Sequence, residues 1–128
     1  MQKVIIRGNE APKPVGPYQQ AVKAGNLVFL AGQIPLDPQT GEMVAGGATE
    51  QTERVISNIK AVLKSAGTSL DNVVKATVFL KDLNDFAKMN EVYAKHFQAD
   101  NAPARSTIQV AKLPKDSLVE IEVVAIVP

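Results

Sequence analysis

The chain has 128 residues, 45% of them hydrophobic and 21% charged, a balance that fits one globular domain over residues 1–128. Its 14 basic and 13 acidic residues leave a net charge of +1, so we do not expect nucleic acid as a main partner. With no cysteine and one histidine, the sequence excludes thiolate chemistry, disulfides and a histidine cluster for a metal.

The hydropathy pattern indicates a protein without a membrane segment. Apolar runs such as 123–127 are far shorter than the roughly 20 residues that a spanning helix needs. The first residues lead into a strand-like pattern and lack the features of a signal peptide. We therefore expect a cytoplasmic protein with no membrane partner.

The first half of the chain predicts a strand, a hairpin and a helix. Residues 3–7 are typical of a short strand, and a loop rich in proline and glycine follows over 8–17. Segments 20–23 and 27–31 flank an Ala-Gly-Asn connection, which predicts a β-hairpin because Gly and Asn tolerate positive φ. Apolar residues at helical spacing over 49–66 predict a helix that ends at Gly67.

The second half predicts a strand, a helix and two further strands. Residues 73–81 alternate and are β-branched, whereas Phe86, Met89, Tyr93 and Phe97 mark one face of a helix. Segments 105–111 and 118–127 are the last two strands. This order predicts an α+β domain in which two helices cover one face of a single mixed sheet.

The second face of that sheet also needs a cover. We expect apolar side chains on both sides of the strands, supplied by Val78, Leu80, Ile108, Val110, Val119, Ile121 and Val123. The sequence therefore predicts that the protein forms oligomers through the uncovered face.

Four polar side chains stand out, and spacing alone leaves the roles of three of them open. Glu120 and Glu122 share one side of the last strand, either as a solvated stripe or as a buried acid used for chemistry. Arg105 opens a strand at the sheet rim, where its guanidinium could bind a small carboxylate or form a surface ion pair. His96 is predicted to be a structural histidine of the second helix.

Several segments of the chain together match the motifs of one known family. Its C-terminal signature is matched by PARSTIQVAKLP at 103–114 followed by LVEIE at 118–122. Further matches are GPYQQA at 16–21, AGQIPL at 31–36, NIKAVL at 58–63, KATVFL at 75–80 and MNEVY at 89–93. Together these segments resemble the Rid (YjgF-type) family, and the resemblance covers essentially the whole chain.

The resemblance implies both a fold and an activity. The fold is chorismate-mutase-like (bacillus-type), assembled as a homotrimer with a central barrel of sheets and active sites in the clefts between subunits. The activity is hydrolysis of reactive 2-imino and 2-enamino acids, such as 2-aminoacrylate and 2-iminobutyrate, to 2-oxo acids and ammonia. It implies small imino and oxo acids as ligands, and neither a metal nor a cofactor.

The resemblance also implies roles for single residues. Arg105 matches the anchor for the substrate carboxylate, and Glu120 matches the acid that positions or activates water. Other substrate-binding positions of the cleft are matched by Tyr18, Gly32, Asn90 and Thr107. Many members have Cys where this chain has Thr107, which leaves the backbone there as a possible contact, and Ala31 replaces a frequent Ser.

Two other functions remain as alternatives. A regulatory protein could use the same cleft to sense small carboxylates without turnover. An RNA-cleaving or translation-inhibiting activity has been attached to relatives, but the near-neutral charge and the missing histidine cluster count against it. Ammonia release from 2-aminoacrylate would distinguish the deaminase from the sensor.

Overall fold

The structure, a computed structural model, describes residues 1–128 and contains a six-stranded mixed sheet and two long helices. The strands are β1 (Lys3–Ile6), β2 (Ala21–Ala24), β3 (Leu27–Leu30), β4 (Val73–Leu80), β5 (Ala104–Gln109) and β6 (Val119–Ile126). The helices are α1 (Ala48–Ser65) and α2 (Phe86–His96). The predicted α+β architecture is confirmed, with element ends within two residues of those expected. Neither helix is long and apolar enough to cross a membrane.

The strands lie in the order β1-β2-β3-β6-β4-β5, and only β4 and β5 are parallel. A parallel pair needs a crossover, which α2 provides between β4 and β5. The predicted hairpin joins β2 to β3, where Gly25 adopts a φ of +62°. Although β5 and β6 follow each other in the chain, they do not pair, because β4 lies between them.

The hydrophobic core lies between the sheet and the two helices. Strand β6 alternates, so Val119, Ile121, Val123 and Ala125 are buried on the helix face. Helix α1 buries Val55, Ile59, Val62 and Leu63 against this face, as their spacing predicts. Both helices therefore cover the same side of the sheet.

The opposite face of the sheet, called the open face below, is exposed in the single chain. Its apolar side chains include Phe29, Ile108 and Ile126, which are 46%, 45% and 38% exposed. Register places Phe29 beside Val124 and Ile126 beside Leu27 on this face. The expectation of an uncovered apolar face is correct.

Of the seven residues expected to be distributed over the two faces, five face the helices, and Ile108 faces the open side. Val78, Leu80, Val119, Ile121 and Val123 all point to the helices, and each is at most 2% exposed. The sequence did not specify the face of each residue, because alternation along a strand specifies two faces, but only the pairing register shows which one the helices cover.

Gln20 fixes the loop that precedes β2. The side chain is buried, and its Oε1 accepts a hydrogen bond of 2.7 Å from the Gly8 amide. Its Nε2 lies 3.1 Å from the Gly8 carbonyl oxygen and 3.0 Å from that of Pro12. One side chain thus replaces the regular backbone pairing that the prolines of this loop prevent.

We expect Gln20→Ala to lower the free energy of unfolding by roughly 1–3 kcal/mol, because it leaves partly buried backbone groups without partners. The neighbouring Gln19→Ala variant is the control and should change stability by less than about 0.5 kcal/mol, since the Gln19 side chain makes no such bonds. Urea unfolding of both variants measures the difference. Equal stability of the two would show that Gln20 does not hold the loop.

Candidate functional site

A cleft of about 450 Å³ lies between the N-terminal loop, the segment after β3 and the turn before β6. Tyr18, Ala31, Gly32 and Glu120 are among the residues that line it. Three of the residues that sequence analysis selected, Tyr18, Gly32 and Glu120, therefore lie together in one cavity.

The absence of a side chain at Gly32 makes room for the carboxylate of Glu120. A Cβ atom at Gly32 would collide with the Glu120 side chain. The neighbouring backbone is held in place by two hydrogen bonds between Gln33 and Ile121, of 2.8 and 3.2 Å. The carboxylate thus lies against the main chain at Gly32, where there is no side chain and the next residue is held by hydrogen bonds.

The environment of Glu120 favours its protonated form. The side chain is half-buried on the open face, and burial raises the pKa of its carboxyl above the usual range. The negative charge of nearby Glu122 raises the pKa further, and no Lys, Arg or His of the chain pairs with Glu120. Such a carboxyl can exchange protons nearer neutral pH than an exposed glutamate can.

Arg105 is oriented by three side chains of α2. Its Nη1 donates a hydrogen bond of 2.7 Å to Asn90 Oδ1. Its guanidinium carbon lies 4.6 Å from the centre of the Tyr93 ring and 5.6 Å from that of Phe86. Arg105 forms no ion pair, so the surface ion pair considered from sequence is not observed. Its remaining N–H groups can bind a carboxylate.

From the sequence, Phe86 and Tyr93 were expected only to mark one face of the second helix, and their contact with Arg105 was not predicted. Tyr93 is buried, stacks on Phe97 with ring centres 4.4 Å apart, and has a hydroxyl without a hydrogen-bond partner. Burial raises the pKa of this hydroxyl, and the positive charge of Arg105 opposes the rise. The sequence feature that could have indicated this aromatic contact is the pair Phe86 and Tyr93, which lie seven positions apart on one face of α2.

Within one chain the selected residues form two separate groups. Arg105 pairs with Ala76, which is buried under the helices, and Thr107 pairs with Val78 on the same face. Glu120 instead pairs with Phe79 on the open face. Arg105, Asn90 and Thr107 therefore lie on one side of the sheet, whereas Glu120, Gly32 and Tyr18 belong to the other side.

His96 belongs to neither group. Its Nε2 lies 2.6 Å from Glu53 Oε1, so it links α2 to α1, as expected of a structural histidine. No group of three or more His, Asp or Glu side chains is arranged to hold a metal ion.

The mixed sheet with two helices on one face, together with the cleft, defines a class of small α+β proteins to which solved YjgF and Rid structures also belong. The sequence profile of the family described as Endoribonuclease L-PSP matches residues 8–127. The chain belongs to this family, and it is the same Rid family that the sequence motifs resemble.

Individual relatives are similar over nearly the whole chain. A RutC family protein of Pyrococcus abyssi is 60% identical over 125 residues, 98% of both chains. Reactive Intermediate Deaminase A, chloroplastic, of Arabidopsis thaliana is 47% identical over 125 residues, covering 98% of this chain and 66% of that protein. The crystal structure of Escherichia coli TdcF with bound serine superposes with a TM-score of 0.90 at 47% identity, covering 96% and 98%. The family thus includes a protein named as a deaminase.

The raised pKa of Glu120 predicts a pH-dependent gain in stability for Glu120→Gln. A carboxyl whose pKa is higher in the folded state destabilises that state only at pH values where it is ionised. We expect the variant to melt at a higher temperature than the parent near pH 7–8. The gain should disappear near pH 4, where the carboxyl binds a proton in both folded and unfolded chains.

Melting curves from pH 4 to pH 8 measure this difference, with the exposed Glu91→Gln variant of α2 as the control. Glu91→Gln should not show the same rise with pH. A gain from Glu120→Gln that is largest at low pH would contradict the assignment.

Proposed function

We propose that this protein hydrolyses 2-imino and 2-enamino acids, such as 2-aminoacrylate and 2-iminobutyrate, to 2-oxo acids and ammonia, without a metal or cofactor. The observation that carries the proposal is the guanidinium of Arg105, which Asn90, Tyr93 and Phe86 orient and no carboxylate of the chain neutralises. A planar fork with free N–H groups fits the carboxylate that every such substrate contains. The deaminase name of one relative supports the same activity.

The proposed mechanism needs two groups. Arg105 binds the substrate carboxylate and fixes the imine carbon beside it. Glu120 accepts a proton from water as the water oxygen bonds to that carbon, and it passes this proton to the nitrogen to give a carbinolamine. It then accepts the proton of the new hydroxyl and passes it to the same nitrogen, so that the C=O bond forms, the C–N bond breaks and ammonia leaves. An enamine first takes up a proton on carbon and loses one from nitrogen, and so becomes the imine. The raised pKa of Glu120 suits an acid that must both accept and donate protons.

We also propose that the active protein is a homotrimer with its sites between subunits. Arg105 and Glu120 lie on opposite faces of one sheet, so a small substrate can contact both only if each comes from a different copy. The exposed apolar side chains of the open face would be covered by the same contacts.

A carboxylate sensor remains the second candidate, because the crystal structure of the relative TdcF contains bound serine. A sensor would use Arg105 for binding and would not need Glu120 as a proton carrier. The family description also names an endoribonuclease, but the only histidine of this chain pairs with Glu53 and does not line the cleft. We propose a cytoplasmic location, although one relative is named as chloroplastic.

The proposed assembly predicts that Phe29→Lys will break the trimer. A charge placed on the open face would have to be buried without a partner when the copies associate. Light scattering should give a trimer for the parent at micromolar concentration and a smaller species for the variant, which should also lose imine hydrolysis. Leu83→Lys is a matched control, because Leu83 is also 46% exposed but lies outside the sheet. A parent protein that is a stable monomer would rule out the shared site.

The proposed activity is tested by coupling a purified dehydratase that releases 2-aminoacrylate to this protein and following pyruvate and ammonia. We expect Arg105→Ala to lose nearly all turnover, and Arg105→Lys to be strongly impaired because it keeps the charge but loses the planar fork. Both variants should remain trimeric. Arg54→Lys on α1 is the control for an arginine away from the site.

A parent that binds pyruvate without accelerating hydrolysis would favour the sensor. Turnover by Arg105→Ala at the parent rate would refute the carboxylate anchor.

A further inference from the structure

Two lysines line the cleft of Glu120 and have no role in the mechanism above. Lys13 belongs to the N-terminal loop and Lys115 to the turn before β6, and together they also line an adjoining groove beside Leu36. Both are exposed, whereas Glu120 is half-buried, so the lysines occupy the outer end of the cleft. Neither forms an ion pair with an acidic side chain, and their charges remain available to a ligand.

The backbone at Lys13 is held in place. Pro12 and Pro14 flank it, and a proline restricts both its own φ and the conformation of the residue before it. The buried amide of Gln20 donates a hydrogen bond of 3.0 Å to the Pro12 carbonyl. Lys13 therefore extends from a fixed position beside the cleft.

The backbone at Lys115 is fixed in a strained conformation. Lys115 and Asp116 have φ values of +54° and +56°, in the left-handed region that residues other than glycine rarely adopt. Hydrogen bonds of 3.1 Å from Asp116 N to Leu113 O and from Ser117 N to Pro114 O close this turn. Such strain persists only where the surroundings enforce it, and it is concentrated at functional sites.

We propose that Lys13 and Lys115 bind a second anionic group of the substrate, so that the protein prefers 2-imino acids with a carboxylate in the side chain over monocarboxylic ones. This inference rests on the proposed function, in which Arg105 of a neighbouring copy binds the carboxylate beside the imine carbon. Two ammonium groups, one from the N-terminal loop and one from the turn before β6, supply several N–H donors for the second carboxylate.

The preference has a physical origin that can be separated from catalysis. Arg105 and Glu120 act on the part that both substrate classes share, so they do not discriminate between them. Only the dicarboxylic substrate gains charge-assisted hydrogen bonds to Lys13 and Lys115. Because the lysines are exposed, added salt should weaken this gain.

The test compares two imines formed in the assay by an amino-acid oxidase, one from glutamate and one from 2-aminobutyrate. The double variant Lys13→Gln with Lys115→Asn removes both charges, and Asn is chosen because it tolerates positive φ. We expect the parent to prefer the glutamate-derived imine in kcat/KM, and the double variant to lose about tenfold of that preference. Lys60→Gln, at an exposed position of α1, should leave the preference unchanged.

Calorimetric binding of 2-oxoglutarate and 2-oxobutyrate gives a second measurement that does not depend on turnover. The parent should bind 2-oxoglutarate more tightly, and the double variant should lose this difference. An unchanged preference, or an equal loss for both ligands, would overturn the inference, because equal loss indicates general attraction of anions. If the parent hydrolyses neither imine, the proposed function fails, while the binding comparison still decides the role of the lysines.

Discussion

The alternation of side chains along β-strands is the constraint on which the candidate site depends. Residues 105 and 107 of β5 face the helices, whereas residues 120 and 122 of β6 face the open side. A shift of β6 by one residue would place Glu120 in the core and expose Ile121, so the hydrophobic pattern that stabilises the fold also fixes the position of the acid. Folding of a single chain consequently separates the proposed anchor from the proposed proton carrier.

The two faces give their polar groups different electrostatic surroundings. On the helix side, Asn90 and two aromatic rings contact the Arg105 guanidinium, which has no carboxylate partner. On the open side, Glu120 lies half-buried against bare backbone, and nothing balances its charge. One group is therefore prepared to hold an anion, and the other can take up a proton. A contact between copies that brings these faces together would unite both properties in one cleft.

The sequence predicted the helices and strands because their apolar periodicities are local. It did not predict that β4 lies between β5 and β6, since strand order depends on long-range pairing. For the same reason it left open which side Val119 and Ile121 face, and the structure shows that both face the helices. Tyr93 was recognised as a helix-face residue, but its contact with Arg105 requires the parallel β4-β5 pair, which places that arginine beside α2. The closeness of Gly32 to Glu120 is likewise a product of tertiary structure.

The two positions at which the resemblance implies a departure from the family pattern lie on different sides of the sheet. Thr107 shares the helix side with Arg105, whereas Ala31 lines the cleft of Glu120. A hydroxyl at 107 is a far weaker nucleophile than a thiolate, so chemistry on the Arg105 side is better explained by orientation than by covalent attack. The methyl group at 31 offers no hydrogen bond to the substrate. If the proposed substrates bind in this cleft, their recognition depends more on its other polar groups, which include the Tyr18 hydroxyl, the Glu120 carboxyl and the ammonium groups at its outer end.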